Sequence, residues 1–82
     1  MITVTVKLFA AYQDAFERSE LTMELPEQTR VVDLCDRLIA QRPQLSAWRS
    51  QTRYGVNLQF VEPEQVLNHG DEVVLIPPVS GG

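Results

Sequence analysis

Few residues of this 82-residue chain invite chemistry, and the most informative are its last six, Pro77-Pro78-Val79-Ser80-Gly81-Gly82. Two glycines carry no side chain, so they make a thin thread, and the carboxylate after Gly82 is expected to pass through a narrow channel into another protein's active site. At neutral pH a carboxylate resists attack because of its charge and resonance. To react as an acyl group it must first become an acyl-adenylate or a similar mixed anhydride. Pro77 and Pro78 favour an extended, stiff exit and remove two backbone donors, so the segment cannot simply continue a strand ladder. It is expected to project outward. Taken alone, a Gly-Gly end is also what a frayed terminus looks like, so the tail gains its meaning from what precedes it.

The remaining candidates for chemistry have plainer readings. Cys35 falls at helical spacing with Val31, Leu38 and Ile39, which makes it a small core residue rather than a relay thiol. As the sole cysteine it forms no internal disulfide and builds no zinc site, so no metal is expected. His69 sits in an Asn68-His69-Gly70 turn with no nucleophile beside it in sequence. Trp48 is either a ring covering one end of the core or a partner anchor. Tyr12, Asp14 and Glu17 make no recognisable catalytic set, and neither a Ser-His-Asp set nor a Gly-rich phosphate loop can be assembled.

Composition narrows the classes further. Seven Lys and Arg against eleven Asp and Glu give a net charge of -4, and Lys7 is the single lysine. No basic stripe is available to neutralise phosphates, so nucleic acid is not an expected partner. The longest apolar run, residues 73–79, is broken by two prolines and falls far short of the ~20 residues of a membrane span. The N-terminus lacks the features of a signal peptide, and a cytoplasmic protein without a membrane partner is expected. A domain this small buries only roughly 60% of its unfolded surface, which leaves little room for a catalytic cleft of its own.

The tail must be held by an ordered body, and the hydrophobic periodicity outlines one. Ile2, Val4, Val6 and Leu8 alternate with Thr3, Thr5, Lys7 and Phe9, the period of a half-buried strand. Leu21, Met23 and Leu25 repeat the pattern until Pro26 ends it. AAYQDAFER between them could form a short helical turn that depends on packing. From Thr29, a candidate N-cap, Val31, Leu34, Cys35, Leu38 and Ile39 recur at helical spacing until Pro43, with Asp33, Asp36, Arg37 and Gln41 on the solvated side. Residues 45–48 could add a turn. Residues 54–61 read as one strand with Val56, Leu58 and Phe60 on its apolar side, and residues 72–76 as the last.

This order of elements predicts an α+β domain over residues 1–76, one principal helix packed across a mixed sheet, with residues 77–82 as an extended tail. In the last strand Val74 and Ile76 lie opposite Val73 and Leu75, so both faces are apolar, and Phe9 stands among outward polar residues. Either Phe9, Val74 and Ile76 form a partner-binding patch, or the 62–67 loop covers Val74 and Ile76.

The segment VNLQFVEPEQVLNHGDEVVLIPPVSGG resembles the C-terminal third of the molybdopterin synthase small subunits, sulfur carriers of the ubiquitin-like β-grasp superfamily. The resemblance rests on Val56-Asn57, Leu67, the Gly70-Asp71-Glu72-Val73 turn into the last strand, and Pro77-Pro78-Val79-Ser80-Gly81-Gly82. It extends more loosely to MITVTVKLFA and the order of elements, while residues 41–53 carry no motif of the family. It implies that an E1-like adenylyltransferase uses ATP to adenylate the carboxylate of Gly82, and that a sulfur donor protein converts it to a thiocarboxylate. Docked on the large synthase subunit, the tail would then give sulfur to a pterin precursor, two transfers building the molybdopterin dithiolene. Most catalytic side chains would belong to the partners, the carrier itself would bind no cofactor, and two small and two large subunits would form a heterotetramer. Three other readings stay open: a carrier for thiazole or cysteine synthesis, a ubiquitin-like protein modifier joined through Gly82, and a plain interaction domain with an inert tail.

Overall fold

Alternating β-branched and polar residues make the first strand, β1 (Ile2–Leu8), whose burial alternates residue by residue. After a turn, the short helix α1 (Ala11–Phe16) leads to β2 (Glu20–Leu25). Helix α2 (Val31–Gln41) follows, then a 3₁₀ segment (Pro43–Gln51), the short strands β3 (Arg53–Val56) and β4 (Gln59–Val61), and β5 (Glu72–Ile76). This computed structural model describes residues 1–78; Val79, Ser80, Gly81 and Gly82 lie outside the described residues. Among the described residues, no helix is long and apolar enough to cross a membrane.

The five strands form one mixed sheet in the order β2-β1-β5-β3-β4. The two terminal strands, β1 and β5, run parallel at its centre, with Val6 beside Val73 and Leu8 beside Leu75. β2 pairs antiparallel with β1, and β3 pairs antiparallel with both β5 and β4. On the inner face Ile2, Val4, Val6, Leu8, Tyr54, Val56, Val73 and Leu75 are buried with Val31, Leu34, Cys35 and Leu38 of α2, so one amphipathic helix closes the core. Cys35 is a wholly buried member of that stripe, as its spacing predicts.

Inside this core a small polar knot joins segments distant in sequence. The Tyr12 hydroxyl lies 2.6 Å from Thr52 Oγ1 and 3.5 Å from Cys35 Sγ, and Thr52 Oγ1 is 2.8 Å from the Trp48 carbonyl oxygen. A buried hydroxyl without a partner is costly; here each has one, and α1, α2 and the start of β3 are tied together. Burial and the neighbouring Cys35 push the phenols of Tyr12 and Tyr54 well above their ordinary range.

Two expectations need correction. Thr29 does not cap α2: its hydroxyl donates to the Pro26 carbonyl at 2.6 Å, and Arg30 takes the cap position, its N–H donating to Asp33 Oδ2 at 3.1 Å. The carboxylate at the third helical position thus satisfies a terminal donor, as in half of a capping box. Residues 54–61 are also not one strand. They fold into a hairpin with Asn57 and Leu58 at its tip, both at positive φ (50° and 69°), the conformation of a two-residue type I′ turn.

Asn57 secures that turn. Its Nδ2 donates to Asp71 Oδ1 at 2.9 Å, its Oδ1 accepts the Glu72 N–H at 3.0 Å, and its own N–H donates to the Glu72 carbonyl at 2.9 Å. Asp71 Oδ2 accepts the Asn68 N–H at 2.7 Å. Leu58 is thereby held in a conformation that disfavours any side chain with a Cβ.

Candidate functional site

Alternation along each strand, combined with the pairing register, maps the outer face of the sheet, which no helix covers among the described residues. On the β2 and β1 side it presents Glu20, Thr22 and Glu24 opposite Lys7, Thr5 and Thr3. Glu72 adjoins Thr5, and Lys7 pairs with Glu20, whose hydrogen bond and charge raise the lysine pKa. This half is polar and mostly acidic.

The other half is apolar. Val74 adjoins Gly55, Gly55 faces Phe60, and Ile76 faces Arg53. Gly55, Leu58, Gln59, Phe60, Val74 and Ile76 line a shallow groove of about 180 Å³. Leu58 is 91% exposed and Phe60 72% exposed, so two large apolar side chains stand in solvent at its rim. Gly55 forms its floor. A Cβ there would meet Val74 Cβ and the Gln59 carbonyl at ordinary contact distances of 3.6 Å, so the strand does not require glycine. What the missing side chain leaves is the depth of the groove.

At the end of β5 the chain turns from sheet to tail. Pro77 is buried and Pro78 half-buried, so the outward exit expected after Ile76 does not begin at Pro77. Both prolines line a cleft of about 370 Å³ with Gln51, Arg53 and Ile76. The expected roles of Val79, Ser80, Gly81 and Gly82 fall outside the described residues.

Of the three residues expected to form a partner patch, Val74 and Ile76 stand side by side in the groove. The 62–67 loop does not cover them: its Gln65 and Pro63 carbonyls accept the Val31 and Val32 N–H groups at 2.8 and 3.1 Å, which caps the start of α2. Phe9 follows Leu8 at the same end of the sheet and is 49% exposed, but it does not line the groove. Its carbonyl instead accepts the Tyr12 N–H that starts α1, at 3.1 Å. Sequence reasoning missed Gly55, and it placed Leu58 and Phe60 on a core-facing side. The signal that bears on them is Asn57, a residue tolerant of positive φ, which divides the apparent alternation into two strands.

Trp48 is 37% exposed beside a surface hollow formed by α1 and the 3₁₀ segment. His69 Nδ1 accepts the Thr3 N–H at 3.0 Å, so it fastens the turn before β5 to the start of β1.

The chain matches the ThiS family over residues 6–82. It is 37% identical to the molybdopterin synthase sulfur carrier subunit of Mycobacterium tuberculosis, all of both chains being covered. It is 33% identical to the protein of that name from Chlamydomonas reinhardtii, over 96% of this chain and 98% of the relative. Among solved structures, a Pyrococcus furiosus protein described as molybdopterin converting factor subunit 1 superposes with a TM-score of 0.82 at 28% identity, covering 96% of this chain and all of that one. SAMP1 of Haloferax volcanii gives 0.81 at 25% identity, over 98% and 99%. A Caldiarchaeum subterraneum ubiquitin shares the fold, with a TM-score of 0.66 at 16% identity over 99% and 98% of the chains. The mixed sheet with its crossing helix is therefore the ubiquitin-like β-grasp.

Proposed function

The chain belongs to the ThiS family, and from that premise we propose that it is a sulfur carrier serving as the small subunit of a molybdopterin synthase. One observation carries the reading: β5, the strand that leads into the Gly81-Gly82 tail, also supplies Val74 and Ile76 to the uncovered groove. Whatever docks on that groove therefore sits at the root of the tail. The names of the curated relatives support the same assignment.

In this reading the terminal carboxylate of Gly82 is the reacting group. Bound to an E1-like adenylyltransferase, it attacks the α-phosphorus of ATP, pyrophosphate leaves, and an acyl-adenylate forms. A donor protein supplies sulfur at the sulfide level, which attacks the acyl carbon, expels AMP and leaves a thiocarboxylate. On the large subunit the thiocarboxylate sulfur attacks a carbon of the pterin precursor and displaces an oxygen from it, and water cleaves the resulting thioester to leave the sulfur on the pterin and return the carboxylate. Pro77 and Pro78 limit the conformations of the tail's root, and in this reading Val79, Ser80, Gly81 and Gly82 enter a narrow channel of the partner. Phe9, Val74 and Ile76 belong to the docking side. The carrier holds no cofactor of its own and works in the cytoplasm.

The test is the intact mass of the purified chain after incubation with ATP, an E1-like adenylyltransferase and a sulfur donor. A gain equal to the exchange of one oxygen for sulfur, absent when Gly82 is deleted, is the expected result. No gain with partners active on another carrier overturns the proposal. ATP-dependent adducts of much higher mass in cell extract would instead indicate a protein modifier.

A further inference from the structure

Arg53 is a charged group beside the apolar groove that apolar docking leaves without a purpose. It faces Ile76 across the β3–β5 pair, so it shares the outer face with Gly55, Val74 and Phe60. It also lines the cleft with Gln51, Ile76, Pro77 and Pro78 at the root of the tail.

Most cations of the chain have partners among the described residues. Lys7 pairs with Glu20, Arg30 with Asp33 and Arg49 with Asp36. Arg42 Nε donates to the Ala15 carbonyl at 3.0 Å, and its guanidinium stacks 4.9 Å from the Phe16 ring centroid. Arg53 is exposed and has neither an ion pair nor a side-chain hydrogen bond among the described residues. Arg18 and Arg37 are exposed as well, but Arg18 lies in the turn before β2 and Arg37 on α2, across the sheet from the groove.

The outer face is thus ordered in three zones. Glu20, Glu24 and Glu72 make one side acidic, the Gly55 groove is apolar, and Arg53 puts a cation where the tail leaves. The six residues that follow Ile76, 77–82, reach at most about 20 Å when extended. A side chain level with Ile76 therefore acts at the entrance of a channel that takes the tail, not at its reacting end.

We propose that Arg53 is a positioning residue: it pairs with a carboxylate at the mouth of the partner's tail channel while the Gly55 groove receives an apolar side chain of the same partner. Against the acidic zone, this pair sets which way round the carrier docks. Charge complementarity of this kind governs orientation and encounter more than raw affinity. The inference rests on the carrier reading, with the synthase large subunit as the occupant.

The experiment measures the affinity of the full chain for the cognate large subunit, at low and at high salt, for wild type and for Arg53→Ala, Arg53→Glu, Arg53→Lys and Arg37→Glu. At low salt Arg53→Ala is expected to bind about tenfold and Arg53→Glu about a hundredfold more weakly, with Arg53→Lys within a few-fold of wild type. Added salt should weaken wild type more than Arg53→Ala, because the pair it screens is missing in the variant. Arg37→Glu changes the net charge as much as Arg53→Glu does and should stay within about twofold of wild type. Equal binding by wild type and Arg53→Glu overturns the proposal, as does an equal loss in Arg37→Glu. If Arg53→Glu fails to fold by circular dichroism, the salt response of Arg53→Ala decides on the same terms. Wild type that gains thiocarboxylate and binds while Arg53→Glu binds equally well sinks this inference alone. Wild type that does neither sinks the carrier reading with it.

Discussion

The two faces of the sheet are made by the same strands and meet opposite fates. Inward, Val6, Val73 and Leu75 are wholly buried and α2 closes over them. Outward, Val74, Ile76 and Phe60 are as apolar, yet among the described residues no helix closes over them. The inner face therefore stabilises the fold, and the outer apolar half leaves apolar area whose burial requires another molecule. Substitutions of similar size on the two faces should separate stability from recognition.

The largest stability effect belongs inside. Leu34→Ala, at a fully buried position of α2, should lose about 2–5 kcal/mol in urea unfolding, from lost transfer energy and the cavity left behind. Phe60→Ala removes a larger side chain from the outer face, where 72% of it is exposed. It should change stability by less than about 1 kcal/mol and weaken binding to the large subunit by about tenfold. The contrast breaks if Phe60→Ala unfolds as readily as Leu34→Ala, or if its binding is unchanged.

A smaller effect probes the polar knot on the inner side. Tyr12→Phe loses the 2.6 Å bond to Thr52 and should cost about 1 kcal/mol. Burial raises the phenols of Tyr12 and Tyr54 in the folded state, whereas an unfolded tyrosine ionises near about pH 10. Above that pH the unfolded chain releases protons that the folded chain retains. The stabilisation, whole below about pH 10, is therefore lost as pH rises towards the folded values. Chemical unfolding followed across this alkaline range should show the decline, and a shallower one in Tyr12→Phe.

The smallest expected change has the opposite sign. Leu58→Gly relieves a positive φ of 69°, so the melting temperature should hold or rise, by at most about 1 kcal/mol of stability. Binding to the large subunit should weaken in the same variant, because a rim side chain of the groove is gone. A loss of stability in Leu58→Gly would mean that Leu58 supports the fold and is not held exposed at its expense.

The legible parts of the chain were those in which one local pattern sets one element. Strict alternation placed β1 and β2, the stripe from Val31 to Ile39 placed α2, and the Asn68-His69-Gly70 turn placed the start of β5. The hairpin escaped because its tip, Asn57-Leu58, lacks the glycine that usually marks such a turn, and Val56, Leu58 and Phe60 alternate straight through it. Phe9 was legible as exposed but not as lying outside the groove, since its place depends on the turn into α1.

The sequence by itself determined the fold class and the family, because these follow from periodicity and from a specific run of residues that ends in the Gly81-Gly82 tail. Tertiary structure alone decided the site at the root of that tail. Gly55, Phe60, Val74, Ile76 and Arg53 come from three strands, and only the register of hydrogen-bonded pairs sets a glycine opposite an aromatic ring and an arginine opposite the last strand residue. Pairing between strands is a long-range property, and no local pattern encodes which residues it brings together.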